Sequence, residues 1–65
     1  MRDPNRLYRF YNELMKIHME NFPDWRFGQF IENFEEWARH RGGVFFIEDE
    51  ELLGWMNEFV EYMTA

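Results

Sequence analysis

The 65-residue sequence has no cysteine, no serine, one threonine, two prolines and four glycines, and it carries no Lys or Arg from Gly42 onward. Without cysteine there is no disulfide staple and no thiol nucleophile. The two histidines, His18 and His40, are too few and too far apart for a structural zinc site. With Thr64 as the single side-chain hydroxyl outside the tyrosines, there is no basis for serine-type nucleophilic catalysis. No apolar run approaches the roughly 18 residues of a membrane span. The opening Met-Arg-Asp-Pro-Asn-Arg leads into no signal-type apolar core. The expectation is a cytoplasmic protein with no membrane partner and no cofactor. A chain of this length supports one domain and buries only roughly 60% of the surface its unfolded form exposes.

What is abundant is apolar and aromatic surface, at 46% and 22% of residues. The first figure is ordinary for a large domain, where about 45–50% is usual. In so short a chain it exceeds what one small core hides.

Acids outnumber strong bases thirteen to seven, for a net charge of −6. Along the sequence, residues 1–43 hold seven bases and seven acids, which cancel. The excess is Glu48, Asp49, Glu50, Glu51, Glu58 and Glu61. Nucleic-acid affinity rests on Lys and Arg neutralising phosphates, so direct DNA or RNA binding is not expected. An acidic patch suits a partner with a basic surface; it also keeps an apolar protein dispersed.

Breaks at Asn21-Phe22-Pro23-Asp24 and Gly42-Gly43 divide the chain into three helical segments, 4–21, 24–41 and 48–63. Asp3 suits the N-cap and Pro4 the first position of the first helix. Asp24 is placed to cap the second, and Gly42 or Gly43 to end it in a left-handed turn. Either Glu48 or Asp49 caps the third. At 100° per residue, helix one is apolar over about 200° and helix three over about 180°, against the narrower stripe one partner requires. The helix-two stripe of Phe27, Phe30, Ile31, Phe34, Trp37 and Ala38 is about 120° wide, the normal width of one buried face. Val44-Phe45-Phe46-Ile47 reads as a short extended segment laid over the helices as a lid, in preference to an edge strand pairing with its own symmetry mate.

The fold class expected is therefore all-α, a three-helix domain with a short extended apolar segment between helices two and three, and dimeric. The self-interface is predicted at Tyr8, Tyr11, Met15, Met19, Trp55, Val60 and Tyr62, because aromatic residues and Met are enriched at interface cores. Trp25 belongs with the side chains expected to be exposed.

Little here suits catalysis. His18 lies on the apolar arc of helix one without a partner group, and reads as a partly buried histidine bonded to backbone or a carboxylate. Glu48 to Glu51 point around a helix and lack the alternating ligands and central Gly of a calcium loop. Arg26, Gln29 and Asn33 are more distinctive. Three and four residues apart, they form a ridge of one guanidinium and two amides. Such a ridge recognises a carboxylate, backbone or base edge. Its structural alternative has Arg26 pairing with a carboxylate and the amides capping the loop of residues 42–47, with Gly28 allowing close helix approach. Trp25, Arg26, Gln29, Asn33, Glu48, Asp49, Glu50, Glu51, Glu58 and Glu61 form the candidate partner-binding set.

Pro23-Asp24-Trp25-Arg26-Phe27-Gly28-Gln29, then Asn33, then Phe45-Phe46-Ile47-Glu48-Asp49 resembles a group of small phage, prophage and mobile-element proteins of bacteria. The likeness covers roughly residues 4–55. Where the relatives carry Asp-Pro before the aromatics, this chain has Gly42-Gly43-Val44. The resemblance implies a phage context. By analogy with small acidic phage proteins it implies a non-catalytic inhibitor that binds a host protein, such as an antiviral defence complex. Two alternatives are an assembly protein that binds itself or another phage protein, and a nucleic-acid mimic that regulates a host nucleic-acid-binding enzyme.

Overall fold

The computed structural model describes residues 2–65. Three helices follow one another, α1 (Arg6–Asn21), α2 (Phe27–Arg39) and α3 (Asp49–Thr64), and no strand occurs among the described residues. The protein is a three-helix, all-helical domain. No helix among the described residues is long and apolar enough to cross a membrane.

The helix boundaries show how the ends are satisfied. α1 starts two residues later than predicted because Pro4 and Asn5 form a tighter lead-in turn. There Arg6 N–H bonds to Asp3 O and Leu7 N–H to Pro4 O, a three-residue spacing. Asp3 still receives a backbone donor, as Asn5 N–H bonds to its Oδ1 at 3.0 Å. α2 begins at Phe27, so Asp24 is not its cap. Arg26 is, and Gln29 Oε1 accepts the Arg26 N–H at 2.8 Å. This is half of a capping box, since a guanidinium has no acceptor to return the bond. At the far end, Gly42 N–H bonds to Arg39 O and Gly43 N–H to Ala38 O. Both glycines are left-handed, with φ of 102° and 83°. This paired pattern closes a helix in a way L side chains resist. α3 is capped by Glu48, in extended backbone. The three acids of its first turn complement the positive helix end.

α3 is the hub. It packs against both α1 and α2, and these two pairs carry most of the contact between helices. The core is Leu14 and Ile17 of α1, Phe22 of the first loop, Phe30, Phe34 and Ala38 of α2, and Met56 and Phe59 of α3. Phe59 joins the parts, its ring 5.7 Å from those of Phe22, Phe34 and Trp37. Burying such rings contributes about 1.5–3 kcal/mol each.

The hub position corrects two expectations. Most of the wide apolar arc of helix three is covered by two partners inside the chain, with Tyr62 and Met63 at its end left exposed. Trp55 and Val60, predicted at a self-interface, are half-buried and packed on the core. Trp25, predicted exposed, is half-buried too, with its ring stacked on Phe22 at 4.3 Å and 8°. The segment 44–47 is a turn and not an extended lid. Val44 packs toward the core and Ile47 is half-buried, while Phe45 and Phe46 point into solvent. A four-residue link following two left-handed glycines has to reverse direction before α3, which leaves its two middle side chains nothing to cover.

Candidate interaction surface

Helix α1 has an uncovered side. Tyr8, Tyr11, Met15 and Met19 are all more than half exposed, Tyr8 by 75%. They share this surface with Phe27, which is 57% exposed although its spacing on helix two places it on the core stripe. Phe27 is the first residue of α2, and there the helix has only just left the loop. Its ring helps line a cleft with Tyr11, Leu14, Met15 and His18. Tyr11 continues the surface into an open cleft of about 520 Å³ formed with Pro4, Leu7 and Tyr8. His18 continues it the other way, to Met19 and Pro23. One apolar face therefore runs the length of α1. Contiguous exposed patches beyond a few hundred Å² are uncommon on monomeric proteins and mark interaction sites.

His18 sits at the edge of this face in a structural role. Its Nε2–H donates to the Trp25 carbonyl at 2.8 Å, since a carbonyl only accepts. The imidazole stacks on Phe30 with centroids 4.7 Å apart. The ring thereby ties α1 to the loop that starts α2, as the partly-buried-histidine reading expects.

The Arg26, Gln29 and Asn33 ridge is largely spent on its own helix. Gln29 holds the cap described above, and Asn33 Nδ2–H donates to Gln29 O at 2.8 Å. Neither amide reaches the 42–47 loop. Arg26 is exposed and makes no ion pair among the described residues, so its predicted carboxylate partner is missing as well. A Cβ at Gly28 would meet nothing within 4 Å, so no helix approaches closely there. Asn33 also borders a shallow groove between α2 and α3, lined with Glu36, Trp37, His40, Phe59, Tyr62 and Met63. Tyr62, predicted at the self-interface, is exposed on this groove and not on the α1 face.

The acids of the partner-binding set are mostly paired within the chain. Arg2 bonds Glu48 at 2.8 Å, Arg6 lies 3.4 Å from Asp49, and Arg9 lies 3.2 Å from Glu50. Glu51 and Glu61 make no ion pair among the described residues. The charge balance read along the sequence therefore shifts in space, because three arginines of the neutral half lie against the acidic start of α3. That leaves the exposed Glu32, Glu35 and Glu36 of α2 among the acids without an ion pair.

Glu58 has the tightest partner. Arg41 donates to both its oxygens, at 2.9 and 3.1 Å, with the guanidinium carbon 4.2 Å from the Trp37 ring centre and 5.5 Å from that of Trp55. The hydrogen bonds from Arg41, helped by its charge, hold the Glu58 carboxyl below its ordinary pKa of 4.5.

Three exposed aromatics escape the sequence reading. Phe27 escapes because a helical wheel ignores where a helix begins. Phe45 and Phe46 were legible in principle, since Gly42-Gly43 announces a turn and turn tips expose their side chains. Comparison with protein-family models, with curated proteins and with solved structures finds no match for this chain.

Proposed function

We propose that this protein is a non-catalytic binding module that pairs with a second copy of itself through the open face of α1, and as a dimer engages a host or phage protein. The observation that carries the reading is the unbroken apolar face of Tyr8, Tyr11, Met15, Met19 and Phe27. Taking about 150–250 Å² per large side chain, five of them half to three-quarters open present on the order of 600 Å². A standard interface takes about 800 Å² per partner, so two such faces with their polar rims come to that size.

Charge favours α1 over α3 as the self-interface. Within Arg6–Asn21 three bases meet two acids, so two α1 faces approach without strong repulsion. Within Asp49–Thr64 there are five acids and no base; Arg6, Arg9 and Arg41 answer three of them, and pairing two α3 surfaces still brings the unpaired Glu51 and Glu61 toward their own copies. The likeness to small phage proteins makes the heterologous partner a host factor with a basic surface, an antiviral defence complex being the example by analogy. Inhibition is then by occupation of that factor.

Sedimentation or light scattering at micromolar concentration is expected to give twice the 8.2 kDa chain mass. Met15→Glu and Phe27→Glu return it to one chain mass with helicity unchanged. A monomeric wild type removes the dimer. A tagged chain expressed in its host is expected to retain one host protein in constant proportion; nothing specific retained removes the inhibitor reading.

A further inference from the structure

Phe45 and Phe46 are the most exposed large apolar side chains described, at 87% and 91%, and they lie on a different element from the α1 face. Their rings meet edge to face, with centroids 4.8 Å apart and planes at 72°. The turn that carries them is fixed at both ends. Before it, the two left-handed glycines bond back to Arg39 and Ala38, and Val44 packs toward the core. After it, Ile47 is half-buried and the Glu48 carbonyl accepts the Leu52 N–H at 2.9 Å. We infer that the Phe45–Phe46 tip is an anchor that inserts into an apolar cleft of a partner protein whose rim is basic.

Three observations support it. Two aromatic side chains in water are a standing cost that a matching pocket relieves, and interface cores are enriched in such residues. The turn is pinned at both ends, so its backbone is set before the partner arrives and less ordering entropy is lost on binding. The acids outnumber the bases beside the tip: Glu48, Asp49, Glu50 and Glu51 follow it directly, Arg2, Arg6 and Arg9 answer the first three, and Glu51 makes no ion pair among the described residues. The arginines that answer Glu48 and Glu50 are loosely held, with both side chains 61–76% exposed in each pair. Pairs this open are weak and screened by salt, so Lys or Arg on a partner's rim replaces Arg2 and Arg9 readily.

The same charge disfavours the other surfaces that accept exposed rings. Membrane-interface anchors set aromatic residues among Lys and Arg that meet anionic headgroups, and single-stranded nucleic acid needs a basic groove along its phosphates. The inference rests on the reading that this protein acts by binding other proteins.

The probe is a random dodecapeptide library displayed on phage and panned on the immobilised full chain. The recovered peptides are expected to carry an apolar centre flanked by Lys or Arg. Made synthetically, they are expected to bind F45S/F46S at least about tenfold more weakly and E48Q/E51Q several-fold more weakly. Their affinity for wild type falls as salt rises from ~50 to ~300 mM. F45S/F46S is expected to keep the wild-type melting temperature and sedimentation because its side chains face solvent, while E48Q/E51Q keeps the sedimentation and melts slightly lower, having lost the open Arg2 pair and one first-turn charge. Peptides that bind F45S/F46S as tightly, peptides without basic residues, or no recovered peptides at all overturn the anchor. So does tip-dependent binding to vesicles of phosphatidylcholine and phosphatidylglycerol, or a dimer lost in F45S/F46S. A monomeric wild type that still selects tip-dependent peptides overturns the dimer alone.

Discussion

The guanidinium of Arg41 lies over the Trp37 ring at 4.2 Å and grips both carboxylate oxygens of Glu58, which fastens the end of α2 to the middle of α3. A planar fork is required for both contacts at once. Arg41→Lys keeps the charge and loses the two-point bond and the stacking, so it is expected to lower the melting temperature nearly as far as Arg41→Ala. A lysine variant that melts like wild type would show that charge alone matters.

The same pair sets a pH dependence. Because the Glu58 carboxyl is held below 4.5 in the folded protein, its stabilising effect is complete above that value and disappears as pH falls through the lowered folded value. Thermal melts of wild type and Glu58→Gln are expected to differ at pH 7 and to converge as pH is lowered below 4.5. A gap that persists unchanged in acid contradicts the assignment.

The open ion pairs are expected to matter far less. Arg9 and Glu50 are each 76% exposed, and pairs of that kind contribute about 0–1 kcal/mol. Arg9→Ala is expected to shift stability by no more than about 0.5 kcal/mol. A loss of several kcal/mol in a denaturant titration refutes that.

The core has no such tolerance. Phe34 is 1% exposed and meets both Trp37 and Phe59. Its truncation to Ala costs about 3–5 kcal/mol. A chain of this length holds about 3–10 kcal/mol in all. Circular dichroism of Phe34→Ala is expected to show a molecule partly or wholly unfolded at 37 °C.

Glycines separate turn from helix. At Gly42 and Gly43 a Cβ has room but the backbone is left-handed. Alanine at either is therefore expected to cost about 1–2 kcal/mol, with Gly42→Asn milder. Gly54 lies inside α3 with nothing near its Cβ position. Gly54→Ala is expected to stabilise by up to about 1 kcal/mol, a rise of about 4–8 °C in melting temperature. The opposite order in thermal melts contradicts both assignments.

Helix number, the two breaks and the glycine stop were legible in the sequence because each is written in local residues. Periodicity also placed Phe30, Phe34 and Ala38 on the inward face of α2. What was not legible depended on neighbours in space. Trp55 and Val60 read as surplus because a wheel cannot tell that α3 has two partners. The acids at 48–50 read as an open patch because Arg2, Arg6 and Arg9 are about forty residues away in sequence and adjacent only after folding. Phe27 read as core because nothing local says that α2 starts beside Tyr11 and Met15. The α1 face was anticipated through Tyr8, Tyr11, Met15 and Met19, whose arc is wider than the chain covers.

The hub position of α3 also bears on how the protein comes to be folded during synthesis. α1 and α2 have little to hold each other with before Phe59 arrives to meet Phe22, Phe34 and Trp37. Without α3 the inward faces of α1 and α2 stay open, and a chain that stops before Phe59 is expected to lack a closed core.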